Sequence, residues 1–192
     1  MPKQKVTEVE IIKHSFRLFR EKSYHNTSMA DIAQECGILK GSLYHYFPSK
    51  EALMSAVIIY AHAYFKEKVF SIAYDEALTP QERIEKMFQK SEKTLLSDGN
   101  IMGNIGVETA RIIPEFANHI RDFYEEWINA VAHIFSNITN ENDAQNLAEQ
   151  TVAEFEGAVM MSRIFKDTKF MKNAYIRLKS RFAAITLSDL KH

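Results

Sequence analysis

An all-α protein is what this sequence predicts, and three observations carry that expectation. Apolar residues recur at the 3.6-residue period of a helix, alternating strand patterns are absent, and only four prolines and six glycines interrupt the 192 residues. The expected architecture is an N-terminal three-helix unit containing a helix-turn-helix, followed by a larger helical bundle. The first helix is expected from Thr7 to Lys22, with Val9, Ile12, Phe16 and Phe19 on one stripe. Residues 27–53, TSMADIAQECGILKGSLYHYFPSKEAL, read as a helix, a tight turn at Cys36-Gly37-Ile38, a second short helix and the capped start of another. Met29, Ile32 and Ala33 mark the buried face of the first of these, and Leu43, Phe47 and Leu53 continue it. Gly37 suits the turn, because a residue without a Cβ takes the left-handed conformation at little steric cost.

Pro48 closes this unit, and Ser49 is a natural N-cap for a long helix reaching towards Tyr74. The expected domains are therefore residues 1–48 and 49–192. A further helix starts at Thr79-Pro80-Gln81-Glu82, where Thr79 and Glu82 have capping-box spacing and Pro80 takes the first helical position. It fades at the loop signal Ser97-Asp98-Gly99-Asn100. A short helix over 101–112 is expected to be interrupted by Pro114. From Glu115, the stripe Phe116, Ile120, Phe123, Trp127, Val131, Ile134 and Ile138 predicts a long amphipathic helix. Thr139 to Asp143 reads as a connector, and two last helices are expected over 144–165 and 168–186.

Composition narrows the function classes. A hydrophobic content of 46%, with 13 Phe, 8 Tyr and 8 Met, supports a substantial core. No apolar run approaches the roughly 18 residues of a transmembrane helix, so no membrane partner is expected. The start, MPKQKVTEVE, lacks a signal-peptide segment, and the single Cys36 rules out an internal disulfide; both fit a cytoplasmic protein. Net charge is −1, but residues 1–50 hold eight Lys/Arg against five acids, so positive potential concentrates at the N-terminal unit. There is no HExxH spacing, no glycine-rich phosphate loop and no nucleophile–base arrangement. Neither catalysis, nor a metal, nor a cofactor is expected.

A short helix presenting small, polar and aromatic side chains after a tight turn suits insertion into a DNA major groove. Residues 27–53, together with the upstream run IIKHSFRLFREKSYHNTS, resemble the N-terminal domain of the tetracycline-repressor (TetR) family of bacterial transcriptional regulators. The resemblance covers about the first quarter of the chain and ends in Phe47, Ser49, Lys50, Glu51 and Leu53. It implies that Thr27 and Ser28 offer hydroxyl and backbone N–H groups to a phosphate, that the Tyr44 hydroxyl meets the DNA backbone, and that Lys50 clamps a phosphate. Base reading would then fall to Lys40, Ser42 and His45, with Gly41 allowing close approach. Tyr46 and Phe47 are read as packing residues, and Met29 as one that packs or touches a thymine methyl. Two departures from the family pattern stand out: Leu39 replaces a helix-capping serine, and Ser23 replaces a glycine after the first helix.

For the remaining chain the resemblance implies dimerisation and binding of a small inducer. Two reading heads must meet half-sites about 34–36 Å apart, so protein symmetry mirrors operator symmetry. The last two helices, with Phe155, Ala158, Val159, Ser162, Phe170, Ala174, Tyr175, Leu178 and Phe182, are expected to form a homodimer interface. Met87, Phe88, Phe123, Tyr124, Trp127, Phe155 and Met160 are candidates to line an inducer pocket. Asn104, Glu108, His119 and His133 are candidates to orient the inducer; each of these side chains could equally serve the core or surface. The segment Gly103-Asn104-Ile105-Gly106-Val107-Glu108 is similar to a Gly-Asn…Glu stretch in part of the family. The expected partners are double-stranded operator DNA, an inducer and a second copy of the chain. The expected function is a repressor released from a palindromic operator by a small, largely apolar inducer. Alternatives are a helical carrier or enzyme without DNA binding, and a same-fold activator or ligand-independent regulator.

Overall fold

The computed structural model describes residues 6–97, 101–109 and 112–189; Asp98, Gly99 and Asn100 of the expected loop lie outside them. Among the described residues there are nine α-helices and no strand: α1 (Glu8–Lys22), α2 (Met29–Glu35), α3 (Lys40–Tyr46), α4 (Lys50–Lys68), α5 (Pro80–Ser97), α6 (Ile101–Thr109), α7 (Pro114–Phe135), α8 (Glu141–Phe165) and α9 (Lys169–Asp189). A 3-10 segment, Phe70–Tyr74, replaces the expected end of α4.

The helix starts follow local capping chemistry. At α1 the Thr7 hydroxyl accepts the Glu10 N–H at 3.2 Å, while the Glu10 carboxylate accepts the Thr7 N–H at 2.7 Å. Thr79 and Glu82 make the same reciprocal pair at α5, at 3.3 and 2.9 Å, as their spacing predicts. Asn140 caps α8 by accepting the Asp143 N–H at 3.1 Å, so the polar residues read as a connector include its exposed first turn. Pro114 opens α7 instead of interrupting a helix. A missing N–H is no loss at the first helical position, where that donor has no intrahelical partner.

The chain packs as two compact units. One comprises residues 1–63 and 100–121, the other 64–99 and 122–192. In the first, α1 buries Ile11, Ile12, Ser15, Leu18 and Phe19. The expected stripe is thus rotated: Val9 is 50% exposed and Phe16 only half-buried. Ser15 is tolerated inside because its hydroxyl donates to the Ile11 carbonyl at 2.7 Å. Tyr24 packs between Phe19 and Phe116, with ring centroids at 5.8 and 5.5 Å. From α4, Leu53, Met54, Val57 and Ile58 complete this core.

Ser23, at the end of α1, has φ 70° and ψ 168°. That region is close to glycine-only, and a serine there stores about 1–3 kcal/mol. Part of what holds it is the Thr27 hydroxyl, which donates to the Ser23 carbonyl at 2.8 Å. Ser23→Gly is therefore expected to stabilise the protein by about 1 kcal/mol, after the larger chain entropy of unfolded glycine is subtracted. A thermal melt should rise by about 2–4 °C; an unchanged or lower midpoint contradicts the strain.

The second unit is centred on Trp127, which is fully buried. Phe70, Phe88, Phe123, Tyr124 and Phe155 place their ring centroids 6.0–6.4 Å from it. Arg83 is buried but satisfied: its Nε donates to the carbonyls of Asp75 at 2.8 Å and Leu78 at 3.0 Å, pinning the turn before α5. α8 and α9 pack against each other, and Phe155, Ala158 and Val159 of the one and Ala174, Leu178 and Phe182 of the other are buried within the chain. Most of the residues expected at a dimer interface are thus buried within the chain. Among the described residues, the large apolar side chains these two helices leave exposed are Met160, Ile164, Phe165 and Ile176.

Candidate nucleic-acid interface

α2, the turn and α3 form as the sequence predicts. Met29, Ile32, Ala33, Leu43 and Phe47 are buried. Gly37 has φ +66°, and its N–H and that of Ile38 close the end of α2 on the carbonyls of Gln34 and Ala33, each at 3.0 Å. α3 has no side-chain cap, as Leu39 foretells. With Leu43 turned inward, Lys40, Gly41, Tyr44 and His45 are exposed and Ser42 half-buried. The Lys40 ammonium lies 5.9 Å from the Tyr44 ring centroid, which places a cation and a phenol on one face of α3. A Cβ on Gly41 would meet nothing within 4 Å, so intrachain packing does not require a glycine there. Tyr46 is tied down: its hydroxyl donates to the Val6 carbonyl at 2.9 Å.

Three of the residues expected at phosphates make contacts within the chain. Thr27 is buried, its hydroxyl donating to Ser23 and its N–H to the Tyr24 carbonyl at 3.3 Å, so neither group is turned outward. The requirement that won is satisfaction of buried polar groups. Ser28 is exposed and caps α2: its hydroxyl accepts the Asp31 N–H at 3.2 Å, and its own N–H donates to the Asp31 carboxylate at 2.8 Å. The Ser28 hydroxyl, and then its N–H, donate to the Asp31 carboxylate and hold that carboxyl below the usual carboxylate range. Lys50 donates to the carbonyls of Tyr24 at 3.1 Å and Thr27 at 3.2 Å, with its ammonium 4.2 Å from the Tyr24 ring centroid. It is first a clamp on the loop between α1 and α2. An ammonium has three donors, which leaves one N–H for another acceptor.

That loop is held from a second side, by a contact the sequence reading missed. The Glu108 carboxylate on α6 accepts the N–H of Tyr24 at 3.3 Å and that of His25 at 2.8 Å. Across a separation of more than 80 residues, the only available signal was a polar Asn-x-x-x-Glu pair within an otherwise apolar helix. The Tyr24 hydroxyl donates to Glu51 at 3.0 Å; burial, then this carboxylate, pushes its pKa well up. Cys36, in the reading turn, is half-buried and its thiol is pushed up to about 11 by desolvation, so it is not a thiolate at neutral pH.

The inducer candidates do not form one set. Met87, Phe88, Phe123, Trp127 and Phe155 are buried in the second unit, with Tyr124 at their edge. Met160 is 57% exposed and lines nothing there. Asn104 and Glu108 belong to the first unit, where Asn104 is exposed and Glu108 serves the loop. His133 is exposed and stacks on Tyr74 at 4.5 Å. The Trp127 indole N–H is buried without a hydrogen-bond partner among the described residues. No three His, Cys, Asp or Glu side chains among them gather into a possible metal site.

A buried helix-turn-helix core with a polar outer face on its second helix defines a DNA-binding protein of the helix-turn-helix class. Comparison with known proteins places it further. The family model for bacterial regulatory proteins of the tetR family matches residues 11–57, and that for the C-terminal domain of LmrA/YxaF-like transcriptional regulators matches residues 79–175. The chain belongs to the TetR family of transcriptional regulators. It is 29% identical over 164 residues to the uncharacterized HTH-type transcriptional regulator YxaF of Bacillus subtilis (strain 168), covering 82% of this chain and 85% of that one. It is 22% identical over 160 residues to the HTH-type transcriptional repressor DhaR of Mycobacterium sp. (strain GP1), covering 80% and 81%. Its fold matches a TetR transcriptional regulator from Legionella pneumophila with a TM-score of 0.85 at 22% identity, over 93% of this chain and 98% of that one. Reduced NemR of E. coli matches at 0.81 and 17% identity, over 90% and 95%. YxaF, DhaR and the Legionella protein are transcriptional regulators by name.

Proposed function

We propose that the protein is a homodimeric repressor that leaves a palindromic operator when a small, largely apolar inducer binds. Residues 1–48 act as the reading head and residues 49–192 as the inducer-binding and dimerisation part; the protein works in the cytoplasm. The observation that carries the DNA arm is the exposed face of α3, which presents Lys40, Gly41, Tyr44 and His45 together. Lys40 and His45, with Ser42, read base edges; Tyr44, Ser28 and the remaining Lys50 donor hold phosphates. The inducer arm is supported by the aromatic side chains around Trp127, whose unpartnered N–H would take an acceptor atom of the inducer. The dimer arm is supported by the exposed apolar residues of α8 and α9. A carrier could use the same aromatic core, but the helix-turn-helix would then have no purpose.

The test is selection of bound sequences from genomic fragments, followed by titration at several salt concentrations. Tyr44→Phe is expected to weaken binding to all sequences alike, whereas Lys40→Ala should relax preference at one operator position at a cost of about 1–3 kcal/mol. A base-specific loss in the tyrosine variant, or an unchanged recognition motif in the lysine variant, refutes these assignments. Failure to bind any fragment at low salt refutes the whole reading.

A further inference from the structure

α6 presents two i, i+4 pairs to the end of α1: the apolar Ile101 and Ile105, and the polar Asn104 and Glu108. Between them and the last turn of α1 lies a cavity of about 270 Å³. Its floor is apolar, formed by the buried Phe19, Ile101 and Ile105, and its rim carries Ser23, Asn104 and Glu108. An apolar floor with a few convergent polar groups is the ordinary make-up of a small-molecule site.

The charges of the lining decide what it would take. Arg20 lies 3.9 Å from Glu21, and Lys22 lies 3.7 Å from Asp31, so both cations of the lining have carboxylate partners. Glu108 is met differently. Among the described residues its partners are two backbone N–H groups and the His25 ring at 3.8 Å. N–H dipoles orient a carboxylate without cancelling its charge. The charged residues of the lining, Arg20, Glu21, Lys22 and Glu108, sum to zero; with both cations paired to other carboxylates, the described partners of Glu108 bring it no fixed positive charge. Glu108 still has lone pairs for a further donor.

We propose that this cavity is an effector site for a small organic monocation with an apolar body, an amidinium or primary ammonium, seated on Glu108. The apolar body lies on Phe19, Ile101 and Ile105, and the cation donates to the Glu108 carboxylate. That carboxylate also holds the N–H groups of Tyr24 and His25, in the loop whose carbonyls Lys50 holds and whose first residue is the strained Ser23. A cation drawing on Glu108 weakens the hold on that loop, which leads directly into α2. The site is separate from the aromatic core assigned to the apolar inducer; only its effect on DNA binding rests on the repressor reading.

Three probes of similar size and shape and different charge test it on the full chain: benzamidinium, benzamide and benzoate. Calorimetric titration is expected to show one benzamidinium per chain at about millimolar affinity, with benzamide at least tenfold weaker and benzoate not binding. Glu108→Gln should weaken benzamidinium at least tenfold. In ¹⁵N spectra of the unmodified protein, benzamidinium should shift the Tyr24 and His25 amides, a readout that holds even if the variant does not fold. Equal binding of the three probes, preference for benzoate, or absent amide shifts overturns the proposal. So does quenching of Trp127, the single tryptophan of the chain, without those shifts, because the probe then sits in the other unit. No DNA enters these titrations: their failure leaves the repressor reading standing, and failure to bind DNA leaves the cation site standing.

Discussion

Replacing Ile164 and Phe165 together by aspartate is expected to turn a dimer into a monomer and to weaken binding to a palindromic operator by roughly 10²–10⁴-fold. Both side chains end α8 and are exposed, at 65% and 58%; Phe165 also meets the Phe170 ring at 5.2 Å, so the substitution costs that one contact and leaves the chain's own core intact. What it changes is the exposed apolar end of α8, whose burial against a second copy would supply the association energy. Two carboxylates in the centre of such a contact would lose their hydration without gaining partners. Once the copies separate, the second half-site is no longer bound at the effective concentration a tether provides, and avidity is lost although each reading head is intact. Sedimentation should show the dimer in the parent protein and the monomer in the variant, with helicity unchanged. Half-site binding by the monomer should match that of a parent reading head. An unchanged sedimentation coefficient places the interface elsewhere.

The same two helices show where the sequence stopped being legible. Phe155, Ala158, Val159, Ala174, Leu178 and Phe182 follow helical spacing, and spacing marks a buried face without saying what buries it. In α8 and α9 one face meets the chain's own core while further apolar residues lie off it, so the two could not be told apart from the pattern. α1 failed more simply. Apolar residues stand at 9, 11, 12, 16, 18 and 19, and two overlapping stripes satisfy the helical period; packing chose the one that includes Ser15, whose polarity argued against it. The reading unit was legible because its signals are local and redundant. Gly37 needs a positive φ, Ser28 and Asp31 satisfy each other across one turn, and Met29, Ile32 and Ala33 share a face. The loop between α1 and α2 was not, because the groups that hold it, Lys50 and Glu108, come from α4 and α6. Hydrogen bonds from distant side chains to backbone groups leave no periodic trace in a sequence.

Lys50→Met is the substitution in which those two roles, holding the loop and holding DNA, come apart. The ammonium makes two charge-assisted hydrogen bonds to the Tyr24 and Thr27 carbonyls and lies over the Tyr24 ring. Methionine keeps much of the apolar stem and removes every donor. Each such bond is worth about 1.5–3 kcal/mol when well buried, and Lys50 is only half-buried, so a total loss of about 2 kcal/mol is expected. Glu108 would still hold the loop at the Tyr24 and His25 N–H groups. If the remaining donor also meets a phosphate, operator affinity falls uniformly across sequences and the slope of log affinity against log salt becomes shallower by about one. Chemical denaturation and a salt series on the same preparation measure the two effects separately. A variant as stable as the parent would remove the clamp from the account of the fold. A destabilised variant with an unchanged slope would confine Lys50 to the loop and leave the phosphates to Ser28 and Tyr44.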